Sequence, residues 1–145
     1  MSTVRHILSV KGSKVVSISP GATVKEAVDT MNRHRIGAVV VMDGGSVVGI
    51  LTERDVLQRV VGGDLVPRAA FVADVMTTEV ACCQPDDDVE DVATVMKDRR
   101  VRHVPVCADD GGLMGLISMG DVNAHYVSQQ EQQISFLNEY IYGRA

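Results

Sequence analysis

The chain of 145 residues contains one unit twice, and this duplication limits its possible folds more than any other feature. A shift of 65 residues places Pro20–Met31 over Pro85–Met96, with proline first and methionine last in both segments. After one inserted residue, Gly49–Asp55 lies over Gly115–Asp121. A solenoid needs at least three stacked repeats to cover its apolar faces. Two copies instead predict a pair of units packed about a pseudo-twofold axis.

Each copy has the same predicted order of elements, namely strand, helix, strand, strand and helix. Apolar residues at helical spacing predict the first helix of each copy within the aligned segments. Thr23 with Glu26 predicts a capping box at its start, and Asp88 with Asp91 predicts a weaker version in the second copy. The predicted strands are Val15–Ile18, Ala38–Met42, Val47–Leu51, Val80–Cys83, His103–Cys107 and Leu113–Ile117.

A second helix is predicted after each hairpin, starting near Thr52 in the first copy and near Ser118 in the second. The first ends at about Val60, before two glycines, and the second continues to about Tyr142 with an incomplete apolar stripe. The predicted fold class is therefore α/β, of the α+β type, with a C-terminal helical extension. The predicted boundaries are 1–61 for the first repeat, 62–71 for a linker, 72–127 for the second repeat and 128–145 for the extension.

Composition argues against several functional classes, although a local basic patch would still allow DNA binding. A net charge of −5 has the wrong sign for a protein that binds nucleic-acid phosphates, and 3% aromatic residues are too few for a base-stacking platform. The longest apolar run, 36–42, is too short to span a membrane, and the N-terminal residues do not resemble a signal peptide. Three cysteines, two of them adjacent, indicate reduced thiols. We therefore expect a cytoplasmic protein that binds neither nucleic acid nor membranes.

In both copies the last strand ends in a glycine, two apolar residues, Ser or Thr, two variable residues and aspartate. These segments are Gly49–Asp55 and Gly115–Asp121, and Val104–Val106 follows Arg102 and His103. With these motifs the sequence resembles the tandem CBS domain family, named after cystathionine β-synthase. The resemblance covers about residues 4–126 and is typical of a small stand-alone module of the bacterial kind.

The resemblance implies two β-α-β-β-α repeats with two clefts between them, and commonly a homodimer. Clefts in that family often bind AMP, ADP, ATP, S-adenosylmethionine or NAD(H). By position, Asp55 and Asp121 would hold the ribose hydroxyls, and Thr52 and Ser118 would lie near the ribose or phosphate. Elementary chemistry permits this, because an ionised carboxylate forms strong hydrogen bonds with both hydroxyls of a cis-diol.

Further candidates would complete such a site with apolar walls for adenine and cations for phosphate. The apolar candidates are Val39, Val104 and Pro105, and the cationic ones are Arg54, Arg102 and His103, with Arg35 as a weaker one. A simpler interpretation remains open for the motif residues, because a Ser or Thr followed three residues later by an acid also caps a helix without any ligand.

The two clefts are predicted to differ in affinity. Arg102 and His103 have no cationic counterparts in the first copy, whereas Arg54 has none in the second. We predict that a cleft containing Ser118, Asp121 and His103 binds the nucleotide.

The sequence contains no catalytic motif that we recognise, and we expect no enzyme, no catalytic cofactor and no metal site. The acidic run that precedes the second copy's first helix is explained by the helix dipole. The predicted function is a sensor that binds an adenine nucleotide and regulates an unknown partner protein. Two alternatives remain: an NAD(H) sensor that uses the same clefts, and a ligand-free dimerisation or assembly module.

Overall fold

The computed structural model describes residues 2–142, which form two similar α/β halves. The helices are α1 (Val4–Lys11), α2 (Val24–His34), α3 (Glu53–Asp55), which continues as a π-helical segment (Val56–Val61), α4 (Val72–Val75), α5 (Val89–Arg99) and α6 (Met119–Tyr142). The strands are β1 (Ser17–Ile18), β2 (Ala38–Asp43), β3 (Ser46–Thr52), β4 (His103–Cys107) and β5 (Leu113–Ser118). The predicted fold class is confirmed.

The start of α2 shows why the local sequence signals were sufficient there. Thr23 Oγ1 accepts a hydrogen bond from the Glu26 backbone N–H at 3.2 Å, and the Glu26 carboxylate accepts one from the Thr23 N–H at 3.3 Å. This is the predicted capping box, and it satisfies two N–H groups that a helix start leaves free. The helix ends at Arg35, which adopts a left-handed conformation with φ of 54°.

Two local predictions are wrong. Val80–Cys83 is not a strand; only Cys83 pairs with β4, in a single bridge to Val106, since Pro85 follows closely and cannot donate to a ladder. The Asp88 side chain does not cap α5. The Asp91 N–H that it would serve donates instead to the backbone carbonyl of Asp88, at 3.1 Å.

Each half contains a small sheet. In the first, β1 runs parallel to β2, and β2 pairs with β3 in the antiparallel sense, whereas the second sheet is the antiparallel pair β4–β5. Neighbouring side chains of a strand point to opposite faces. Val39 and Val41 accordingly pack in the core under the helices, and the intervening Val40 is buried on the opposite face.

Each hydrophobic core contains the helix that precedes the other copy in the sequence. Helix α1 belongs to the first copy in sequence, but its Val4, Ile7 and Leu8 pack in the core of the second copy. Helix α4 precedes the second copy, and its Val72 and Val75 pack in the core of the first. Each half is therefore completed by a segment adjacent to the other half in sequence, which couples the stability of the two.

Helix α6 extends well beyond the second core. Its 24 residues correspond to a length of about 36 Å, and Val122 near its start is buried. The apolar residues of the distal part are more than half exposed, namely Val127, Ile134, Phe136, Leu137, Tyr140, Ile141 and Tyr142. In the described part of the chain no helix is both long and apolar enough to cross a membrane.

Candidate functional site

The two copies meet at a cleft of about 470 Å³, which we call the Thr52 cleft. This volume lies within the range of about 300–1,000 Å³ typical of small-molecule sites. One wall consists of the end of β3 and the start of α3, and the other consists of the segment between α5 and β4. The lining residues include Gly37, Ile50, Thr52, Glu53, Arg54 and Asp55 from the first copy, and Arg100, Val101, Arg102 and His103 from the second.

Asp55 is the only charged residue that is buried among the described residues, with 6% exposure. Its Oδ2 accepts hydrogen bonds from the Thr52 N–H at 3.0 Å and from Thr52 Oγ1 at 3.1 Å. Its Oδ1 accepts one from Thr77 Oγ1 at 3.0 Å. The capping interpretation of Thr52 and Asp55 is thus confirmed. A carboxylate can accept about four hydrogen bonds, and Asp55 accepts three here. It can therefore accept a further hydrogen bond from a ligand.

Three arginines line the same cleft. Arg54 reaches across it and donates from Nη1 to the Arg100 carbonyl at 3.1 Å, which links the two copies. Arg102 is exposed beside them. Their three charges outnumber the two carboxylates of Glu53 and Asp55 in the lining. The cleft is therefore locally cationic in a chain of net charge −5, and the forked donors of guanidinium groups suit a phosphate.

His103 is a half-buried member of the lining. Burial lowers its pKa below the usual 6.5, although the carboxylates of Asp121 and Glu53 oppose that shift. The imidazole is therefore neutral at pH 7. A phosphate placed next to it would favour the protonated form, because an opposite charge stabilises the imidazolium.

Ser118 and Asp121 form the matching cap at the start of α6. The Ser118 N–H donates to Asp121 Oδ2 at 2.8 Å, and the Asp121 N–H donates to Ser118 Oγ at 3.1 Å. Lys11 Nζ donates to the same Oδ2 at 2.6 Å. Burial would raise the pKa of Asp121, but the hydrogen bonds from Lys11 and Ser118 outweigh burial and lower it. Neither Ser118 nor Asp121 lines the Thr52 cleft.

The expected apolar walls are placed differently from the prediction. Val39 and Val104 are at most 1% exposed and belong to the two cores under the helices, so their side chains point away from the cleft. Pro105 is buried on the opposite face of β4, the face that carries His103. On the first copy, Ile50 and Leu57 supply the apolar surface of the cleft. Strand alternation accounts for the difference, because neighbouring side chains of a strand point to opposite faces.

The grouping of the polar candidates also differs from the expectation. Because the cleft forms between copies, Arg102 and His103 line it together with Thr52 and Asp55 of the other copy. His103 also lies close enough to Asp121 of its own copy for that carboxylate to act on its pKa. The β4–β5 register still places His103 opposite Ser118 along the backbone. Sequence reasoning missed Arg100 and Thr77. Arg100 could have been found by aligning the copies, because it corresponds to Arg35 at the end of the equivalent helix. No sequence pattern indicates Thr77.

Two of the three cysteines have raised pKa values. Cys83 is buried, and burial raises its pKa to about 12, while burial and the neighbouring Cys82 raise the pKa of Cys107 to about 11. Thiols with such pKa values carry little thiolate at pH 7. Among residues 2–142, no three His, Cys, Asp or Glu side chains are placed to hold a metal ion.

Relatives of known structure include two with adenosine-type ligands. A CBS domain protein from Pyrobaculum aerophilum, PAE2072, was solved in complex with AMP; it is 24% identical with a TM-score of 0.75, and the match covers 83% of this chain and 89% of that one. The CBS domain pair of MJ0100, solved with 5-methylthioadenosine and S-adenosyl-L-methionine, is 22% identical with a TM-score of 0.77, covering 86% of this chain and 99% of that one. At these identities the likeness establishes the fold.

Closer relatives establish the family. The CBS domain-containing protein ATU1752 from Agrobacterium tumefaciens is 39% identical with a TM-score of 0.81, over 86% of this chain and 99% of that one. The mitochondrial CBS domain-containing protein CBSX3 of Arabidopsis thaliana is 36% identical over 126 residues, which is 83% of this chain but 61% of that protein's length. The sequence model of the CBS domain matches twice, at residues 4–62 and 72–128. The chain therefore belongs to the CBS domain family, as a tandem pair.

Proposed function

We propose that this protein is a regulatory sensor that binds an adenine nucleotide in the Thr52 cleft. The observation that carries the proposal is the composition of that cleft, where the Asp55 carboxylate lies with three arginines contributed by both copies. Asp55 supplies an acceptor for ribose hydroxyls, and the arginines supply donors for phosphate oxygens. Two ligand-bound structures in the same family contain adenosine compounds, which supports this ligand class.

The charge of the cleft narrows the choice of ligand. Arg54, Arg100 and Arg102 would repel the sulfonium of S-adenosylmethionine and attract phosphates. We therefore favour AMP, ADP or ATP over S-adenosylmethionine. NAD(H) is the alternative that the same charges allow, because its adenosine half also carries a phosphate.

The position of the cleft accounts for a regulatory rather than a catalytic role. Its walls come from different copies, so a bound nucleotide would contact both copies. It would stabilise the relative arrangement of the two copies in which both walls contact it. Ligand binding can shift a conformational equilibrium only by its difference in affinity for the two states. A regulated partner protein, whose identity the sequence does not indicate, would recognise the favoured state.

Ligand-induced stabilisation tests the proposal. We expect AMP, ADP or ATP to raise the melting temperature, and S-adenosylmethionine to have little effect. A ligand at 100 times its dissociation constant adds about 2.7 kcal/mol to the free energy of unfolding. For a domain of this size that corresponds to roughly 5–10 °C. Differential scanning fluorimetry on protein freed of copurified nucleotide measures the shift.

Two matched variants locate the binding. Asp55→Asn removes a charge in the Thr52 cleft with little change of shape, and Asp121→Asn removes the equivalent charge in the other copy. The shift should disappear in Asp55→Asn and persist in Asp121→Asn. No shift with any of these nucleotides or NAD(H) would contradict the proposal and leave both motifs as helix caps.

A second candidate function is assembly of two copies through α6, and the exposed distal face of that helix favours it. Val127, Ile134 and Ile141 recur every seven residues, with Leu137 between the last two, which is the spacing of a short coiled-coil seam. All four are more than half exposed. A second copy of the same helix would cover this seam, giving the homodimer that the family resemblance implies.

Charged substitutions on the seam test assembly. We expect Ile134→Glu combined with Leu137→Glu to convert a dimer to a monomer, as measured by light scattering coupled to size-exclusion chromatography. Thermal stability of the monomer should change little, because both side chains are exposed. The control, Gln132→Glu with Ser135→Glu, adds the same charge at exposed positions outside the seam and should remain dimeric. An unchanged dimer in the seam variant would exclude this interface.

A further inference from the structure

The two copies differ in what holds the motif aspartate. In the first copy, Thr77 makes two contacts: its N–H donates to the Ile50 carbonyl at 2.9 Å, and its Oγ1 donates to Asp55 Oδ1 at 3.0 Å. Both donors are neutral. A hydroxyl can rotate to another acceptor at little cost, so Thr77 leaves the Asp55 carboxylate open to exchange with hydroxyls of a ligand.

In the second copy, a single cation contacts the two equivalent residues, although on the carboxylate oxygen that also accepts from the Ser118 N–H. Lys11 Nζ donates to the Leu116 carbonyl at 2.8 Å and to Asp121 Oδ2 at 2.6 Å. Leu116 and Asp121 align with Ile50 and Asp55, so Lys11 takes the place of Thr77. Both aspartates accept as carboxylates, but the ammonium of Lys11 adds the attraction between opposite charges, which the neutral Thr77 hydroxyl does not supply.

The placement of Lys11 follows from the exchange of helices. Lys11 is the last residue of α1, which Val4, Ile7 and Leu8 anchor in the second core. Leu8 packs so closely on β5 that a Cβ added at Gly115 would lie 2.6 Å from its Cδ2. The ammonium group is therefore held over Asp121 by a packed helix rather than by a surface loop.

We propose that Lys11 is a built-in plug at the Ser118–Asp121 motif of the second copy, which closes that motif to adenosine ligands and leaves one site per chain. This inference rests on the proposed function. Exposure alone would favour the second site, since 21% of the Asp121 side chain is accessible against 9% for Asp55. Its occupation by Lys11 reverses that preference.

The charged groups near the two aspartates also favour ligand binding at Asp55 over Asp121. Asp55 also has a cation nearby, but Arg59 Nε is 3.9 Å from its Oδ1, and Arg59 Nη1 already donates to the carbonyls of Val75 and Met76. The sequence positions equivalent to Arg102 and Arg54 are both glycines, namely Gly37 and Gly120. A nucleotide at Asp121 would have to displace Lys11 and would find fewer phosphate partners in return.

The number of binding sites per chain tests the plug. Isothermal titration calorimetry with AMP and with ATP should give one site for the wild type, which Asp55→Asn removes. Lys11→Met keeps most of the aliphatic side chain and removes the charge, so it should give two sites, the second of which is lost when Asp121→Asn is added. Lys11→Arg, which preserves the cation, should keep one site.

The outcomes separate this inference from the proposed function. Two sites in the wild type, or one site in both the wild type and Lys11→Met with a native melting profile, would overturn the plug while leaving the sensor intact. If the wild type has a second site and Lys11→Met loses it, Lys11 binds the phosphate instead. That result would also overturn the plug. No binding to the wild type or Lys11→Met would refute the proposed function and the plug together.

Discussion

Replacing Leu51 by alanine should lower the free energy of unfolding by about 3 kcal/mol, which lies within the range of about 2–5 kcal/mol for buried leucines. Leu51 is 0% exposed in the core of the first copy and lies immediately before Thr52. Its removal leaves a cavity that strands on one side and α2 and α4 on the other cannot easily fill. The loss corresponds to a fall of roughly 6–12 °C in melting temperature.

The matched control is Leu137→Ala, the same chemical change at a residue that is 53% exposed on α6. It should alter the free energy of unfolding by less than about 0.5 kcal/mol in the absence of self-association. Urea denaturation followed by circular dichroism measures both variants. Because each core contains a helix from the other half of the sequence, Leu51→Ala should give one cooperative transition at lower urea. Two separate transitions would contradict this coupling.

Arg102→Glu should weaken ATP binding by about 100-fold, if the nucleotide binds in the Thr52 cleft as proposed. Removing one hydrogen bond to a charged group costs about 1.5–3 kcal/mol, which is roughly a 10- to 150-fold loss of affinity. The new carboxylate adds repulsion of the phosphates, although the exposure of Arg102 allows water and salt to screen part of it. The affinity for adenosine, which lacks a phosphate, should change much less.

Arg99→Glu is the control for net charge. Arg99 is an exposed residue of α5 and does not line the cleft, so this variant changes the charge of the chain equally and should bind ATP within about threefold of the wild type. Calorimetry at two salt concentrations would measure both. Equal losses in the two variants would mean that long-range charge, rather than contact in the Thr52 cleft, governs binding.

Several elements were predictable because their signals are local. The capping box at Thr23, the paired hairpins and the second helix of each copy depend on residues a few positions apart. The cap formed by Thr52 and Asp55 is of the same kind. The prediction of a strand at Val80–Cys83 failed because only Cys83 forms a bridge to β4. The prediction of an Asp88 cap failed because the Asp91 N–H donates to the Asp88 backbone carbonyl instead of the side chain.

The site was predictable only in its parts. Asp55, Arg54, Arg102 and His103 were singled out from motifs and from differences between the copies, and the structure brings all four to one cleft. Their grouping was not predictable by reading each copy separately, because residues of one hairpin contribute to a cleft whose other wall belongs to the other copy. Val39 was assigned to the cleft because its position along the strand was considered without the face it occupies.

The sequence alone was sufficient for the duplication, the hairpin and flanking helices of each copy, the family and the residue types available for a ligand. These depend on local spacing and on aligned motifs, which survive without knowledge of packing. Only the tertiary structure decided that α1 and α4 exchange cores, and that Arg100 joins the cleft. It also decided that Lys11 reaches Asp121, 110 positions away in the chain. Contacts at such separations follow from how helices and sheets pack, which no short-range pattern encodes.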